Sequence, residues 1–267
     1  MNSLHKYGAL RPKIDIRDYR YKPAATMVFP EEYELEKPCV KNQGSICSCV
    51  AHALSSIIEH HNKRQQGTED GFSVGFLYGC RPYEYQGAGL YLRDALSVAC
   101  KYGDVKEGDF PYNEEVPGII DRVEQCLSDL KKKAEPNRIS CYAKVETDSE
   151  IKSALINNGP VLINIPVYHD LTQNSKGEIL PYGKVQGYHG VLIYGWTSSG
   201  WKILNSWGSQ WGNNGSAILK YEYPIEEAWS VTDDIINVRK LPLQNILNAF
   251  YKTVNKILNW MGSNHVL

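Results

Sequence analysis

The sequence predicts an α+β protein with two lobes, a mainly helical half followed by a mainly β half. Helical periodicity dominates from Cys49 to about residue 135. After about residue 138 the apolar runs turn short, β-branched and aromatic. The length of 267 residues suits one large domain or two small lobes sharing an interface. A groove between such lobes is a common ligand site.

Each segment supports this order. Residues 1–38 are rich in Pro, Tyr and charge with weak periodicity, and read as an extended arm. In CVAHALSSIIEHHNKR, from Cys49, residues Ala51, Leu54, Ile57 and Ile58 recur at helical spacing. The loop QGAGLY at 86–91 follows, then a helix over LRDALSVACKYG that Gly103 ends. A third helix is predicted over 121–133, with basic residues in its last turn, where they suit the dipole. Strands are predicted in ISCYAKVE, PVLINIPVY, HGVLIYGW, WKILNSW and SAILKYEY, with one helix at 149–159 among them. The helical lobe therefore spans about 40–135 and the β lobe about 136–238, within a body of residues 39–238. From 239 to 267, Leu243, Ile246, Leu247, Phe250, Val254, Ile257, Leu258 and Met261 share one helical face. That stretch holds four Lys or Arg and no Asp or Glu, so it reads as a basic amphipathic helix. It is expected to pack on the body or on a second copy, or to lie on an anionic membrane surface.

Composition narrows the function. A formal net charge of -1 gives no electrostatic footprint for nucleic acid. No signal-peptide core and no run of about 18 apolar residues occurs, so a cytoplasmic protein without a spanning helix is expected. Seven scattered cysteines do not read as a disulfide framework.

Three stretches carry chemistry. In VKNQGSICSCVAHA, Cys49 opens a helix, where unpaired N–H groups and the dipole favour the thiolate, the nucleophilic form. In GYHGVLIYGW, His189 opens an apolar β-run; taken alone, a core histidine satisfied by backbone is the commoner arrangement. In WKILNSWGSQWGNNG, the Asn205 amide closes a strand and is placed to accept a ring N–H from a histidine, with Trp207 as a roof over that bond. Cys47, Cys49 and His189 supply too few convergent ligands for zinc, so no metal or organic cofactor is expected.

Together these stretches resemble the cysteine, histidine and asparagine segments of the papain-like cysteine peptidases, and DIRDYRY at 15–21 resembles a leader of short-armed microbial members. Cys49 and His189 are 140 residues apart, within that family's spacing. The resemblance implies a helical lobe, an antiparallel β-barrel-like lobe and an active-site cleft between them. It implies peptide-bond hydrolysis through a thioester by Cys49, His189 and Asn205, on a peptide or protein substrate. Acyl transfer or deamidation by the same triad, or a catalytically silent binding protein, are the alternatives. Gln43 would complete an oxyanion hole with the Cys49 N–H. Gly87 and Gly89 would line the groove for an extended peptide, and Asn164 and Tyr188 would wall a specificity pocket. Departures from the family pattern are Ile46 at a disulfide cysteine, Cys47 at a glycine and Val50 at a tryptophan. In place of a long pro-region, the short arm is expected to pack on the body and partly cover the cleft.

Overall fold

The computed structural model describes residues 7–23, 27–80, 89–112 and 119–233. The amphipathic segment 239–267 and Gly87 lie outside them.

Five α-helices occur among the described residues: α1 (Cys49–Gln66), α2 (Val74–Gly79), α3 (Leu92–Lys101), α4 (Ile119–Ala134) and α5 (Asp148–Asn157). Helix α1 is buried nearly all round over its first turns, from Cys49 to Ile58, and stops at Gly67 in a left-handed conformation (φ 70°). Helix α2 has only six residues, too few for a periodicity to show; the Ser73 side chain caps it by accepting the Phe76 N–H at 3.0 Å. Thr147 and Glu150 form a reciprocal capping box that starts α5.

The strands are β1 (Tyr33–Glu34), β2 (Cys141–Val145), β3 (Val161–Tyr168), β4 (Glu178–Ile179), β5 (Val185–Thr197), β6 (Gly200–Leu204), β7 (Ser216–Lys220) and β8 (Glu227–Thr232). Among the described residues they form one sheet in the order β2-β8-β3-β5-β6-β7-β4, with β1 added on β5. The neighbours are antiparallel except β4 with β7. The path is open, so the expected barrel-like lobe is a twisted sheet with free ends. Strand β8, which the sequence pattern did not single out, sits inside the sheet between β2 and β3.

Apolar residues alternate across this sheet. Leu162, Leu192, Leu204 and Trp229 face the helices α1 to α4. Ile163, Ile165, Val191, Ile193 and Trp196 form a second core with α5 on the opposite face. Burial on both faces explains why PVLINIPVY reads as a continuous apolar run.

The arm is laid along this body. Tyr33 stacks on Trp196 with ring centroids 4.9 Å apart. The Tyr21 N–H donates to the Lys144 carbonyl at 2.8 Å, and the Lys144 N–H to the Tyr19 carbonyl at 2.7 Å. Arg93 on α3 pairs with both Asp15 and Asp18 of the DIRDYRY stretch.

Candidate active site

Two close backbone approaches position the thiol. Helix α1 rests end-on against β5 at Gly190, where a Cβ would lie 2.9 Å from Val50 Cγ2. That contact brings Cys49 beside the residue that follows His189: the Gly190 N–H donates to Cys49 Sγ at 3.4 Å. The second approach is from the arm. A Cβ on Gly8 would lie 2.1 Å from the Cys47 carbonyl oxygen, so only glycine lets the arm pass over the nucleophile loop.

Cys49 is fully buried beneath this cover. Burial pushes its thiol up to about 11, while backbone N–H groups of Gly190, Gly8 and Val50 pull the other way. The expectation that a helix start alone would favour the thiolate is therefore outweighed, in this covered arrangement, by loss of water.

On the sheet side, His189 and Asn205 meet because β5 and β6 pair in register at Leu192 with Leu204. Their side chains are 2.8 Å apart, His189 Nε2 to Asn205 Oδ1. Asn205 Oδ1 also accepts the Ser206 N–H at 2.7 Å, which fixes the oxygen as the atom facing the ring. Nε2 must then be the donor, leaving Nδ1 as the nitrogen for proton exchange. The Trp207 ring lies 4.8 Å from the imidazole, tilted by 35°, and is buried. Both His189 and Asn205 are shielded from solvent.

Gln43 ties the two sides together. Its N–H donates to the Ser206 carbonyl at 2.8 Å and its Oε1 accepts the Ser206 hydroxyl at 2.7 Å. Its Nε2 donates one hydrogen to the Ile46 carbonyl at 2.8 Å. Behind the nucleophile, the Tyr112 hydroxyl donates to the Gln43 carbonyl at 2.9 Å and lies 2.8 Å from Ser48 Oγ. His52, one turn below Cys49, lies with Nδ1 3.0 Å from the Ser48 carbonyl; burial depresses its pKa to about 3, so it stays neutral.

The arm runs along the residues that the sequence assigns to substrate binding. The Ala9 N–H donates to the Tyr188 carbonyl at 3.2 Å, and Asn164 Nδ2 donates to the Leu10 carbonyl at 2.9 Å. Leu90 bonds to both Gly8 and Leu10 in a parallel bridge centred on Ala9. Gly89, at φ 91°, runs so near the arm that a Cβ would lie 2.1 Å from the Gly8 oxygen. So Asn164, Tyr188 and Gly89 converge on one extended segment of the chain's own backbone. Sequence reasoning missed Gly8, Ser206 and Gly190, which act through contacts distant in sequence, and His52, which is held by the Ser48 carbonyl one turn away. Among the described residues no group of three or more His, Cys, Asp or Glu could hold a metal ion. No described helix is long and apolar enough to cross a membrane.

Comparison with known proteins identifies the family. Cathepsin K of Mus musculus is 28% identical over 197 residues, covering 67% of this chain and 55% of the mouse protein. The probable cysteine protease RD21C of Arabidopsis thaliana is 31% identical over 232 residues, covering 84% of this chain and 46% of the plant protein. The chain spans about half the length of the curated relatives it matches. Among solved structures, xylellain, a cysteine protease from Xylella fastidiosa, aligns with a TM-score of 0.72 at 27% identity, covering 85% of this chain and 95% of that one. The papain family cysteine protease profile matches residues 30–230, and the chain belongs to that family.

Proposed function

We propose that this chain is a cysteine endopeptidase in which Cys49 is the nucleophile, His189 the acid and base, and Asn205 the group that orients the imidazole. The observation that carries the reading is a chain of contacts: Asn205 Oδ1 holds His189 Nε2 at 2.8 Å, and the next residue, Gly190, donates to the Cys49 sulfur at 3.4 Å. His189 Nδ1 takes the thiol proton, and the thiolate attacks the scissile carbonyl. The oxyanion that forms is met by the Cys49 N–H and by the Gln43 side-chain amide. Imidazolium then protonates the leaving amine as the C–N bond breaks, giving a thioester. A water deprotonated by His189 releases the acid and restores the thiol.

In this reading, arm residues 7–10 are a cover that must leave before substrate enters. Ile46, standing at a disulfide cysteine of the family pattern, favours a reducing, cytoplasmic setting. The test is labelling of the full-length protein by a peptidyl fluoromethyl ketone, alongside peptide cleavage. Both are expected in the wild type and neither in Cys49→Ala. Labelling that survives the substitution removes Cys49 from the mechanism.

A further inference from the structure

The tip of the arm sits in a place the chemistry above does not explain. The Tyr7 ring lies edge-on to His189, with centroids 6.4 Å apart, and beside Trp207 at 6.3 Å. Its hydroxyl reaches the Asp170 carboxylate and lies 3.2 Å from Gln186 Oε1. The ring has room because residue 187 is glycine: a Cβ there would be 2.8 Å from Tyr7 Cδ2.

Asp170 is presented by an unusual turn. His169, Asp170 and Leu171 have φ of 43°, 54° and 53°, three successive non-glycine residues in the left-handed region. That conformation is strained for a residue with a Cβ, and the strain persists where surrounding contacts enforce it. Here the His169 ring stacks on Tyr182 at 4.4 Å, and the Thr172 N–H donates to the His169 carbonyl at 3.0 Å.

The direction of the reaction says which part of a substrate meets this place. His189 must protonate the leaving amine, so the residue carrying that amine lies within hydrogen-bond reach of the imidazole. Its side chain therefore falls on the His189–Trp207 side, away from Leu90 and Asn164. Tyr7 is the arm residue on that side, while Gly8 lies over the thiol.

We infer that Asp170, Gln186, Gly187 and the edge of Trp207 form a subsite for a phenolic side chain, that Tyr7 is its resident occupant, and that the substrates are peptides with tyrosine immediately after the scissile bond. This deepens the peptidase reading and rests on it. Two oxygen acceptors with aromatic walls suit a phenol. Phenylalanine fills the walls and leaves the acceptors without a donor. Net hydrogen-bond strengths then predict roughly a threefold to tenfold preference for tyrosine over phenylalanine.

The experiment uses the full-length protein and one cleaved peptide, varied at the position after the scissile bond to Tyr, Phe, Ala or Lys. Tyrosine is expected to give the highest kcat/KM. Tyr7→Ala, which vacates the subsite, should raise kcat/KM for the tyrosine peptide. Asp170→Gly should bring the Tyr-to-Phe ratio close to one, and glycine adopts the left-handed φ without strain, so the turn survives. Gln186→Ala should lower the same ratio less. Cleavage with equal rates for Tyr and Phe, a ratio unchanged in both variants, or lysine preferred over tyrosine overturns the subsite and leaves the peptidase reading standing. If neither the wild type nor Tyr7→Ala cleaves any peptide or takes a label at Cys49, the peptidase reading fails and the subsite fails with it.

Discussion

The thiol and the imidazole reach the groove by different means. His189 is placed by the pairing of two strands, and its tautomer is settled by one amide, Asn205, at 2.8 Å. Those determinants are local to β5 and the end of β6. Cys49 is placed by the start of α1 and a web of loop contacts through Gln43, Ser48 and Tyr112. Its ionisation depends on how closely it is enclosed, since burial is the main cause of its raised pKa, against which the Gly190 and Gly8 N–H groups pull. One partner is set by strand pairing, and the other by how several segments close around it.

Breaking the sheet side should have the largest effect. Asn205→Ala removes the acceptor that fixes the ring, and kcat/KM for a peptide substrate should fall by about 100-fold or more. A loss below about threefold would mean that Trp207 and the strand alone orient His189.

Disturbing the cover should act in the opposite direction. Gly8→Val places a side chain against the Cys47 carbonyl and lifts the arm. Alkylation of Cys49 by iodoacetamide at pH 8 should rise by about tenfold as the thiol midpoint drops from about 11. An unchanged rate would show that the arm is not what keeps the thiol neutral.

Acid separates the regions through stability. His52 and His61 on α1 are buried, and burial depresses both to about 3 from 6.5. His61 is also flanked by His60 and Arg64, which disfavour its proton. Unfolded, each binds a proton near 6.5; folded, each resists it. Their contribution is therefore complete above pH 6.5 and lost as the pH falls towards 3. Tm should decline steadily over that window, and His61→Leu should flatten the decline. A slope identical to the wild type would refute the role of His61.

The smallest change is expected at the outer anchor of the arm. Arg20 pairs with Glu146 at 2.9 Å and Glu150 at 3.4 Å, but its side chain is 53% exposed. Such pairs contribute about 0–1 kcal/mol, so Arg20→Ala should shift Tm by no more than about 2 °C. A larger drop would make this end of the arm a structural tie.

Much of the fold could be read from pattern. Helix α1 begins at Cys49, as its periodicity predicts, and the predicted helix at 149–159 is α5 (Asp148–Asn157), with its cap spelled out in Thr147 and Glu150. Helix α2 and strand β8 were not legible. The first is too short for a period to emerge. The second, EAWSVT, mixes a charged residue into a strand whose place is decided by partners far away in β2 and β3. The resemblance led to Cys49, His189, Asn205 and Gln43 as a group. The contact of Tyr7 with Asp170 left no mark in the pattern, because neither residue belongs to a periodic segment.

Residue order alone determined which chemical groups are present and which segments are helix or strand, since those follow from local spacing and propensity. The tertiary structure decided the state of those groups. A cysteine at a helix start is an activated thiol in water and a neutral one when fully buried, as Cys49 is here, because desolvation of a charge depends on every segment that closes around it.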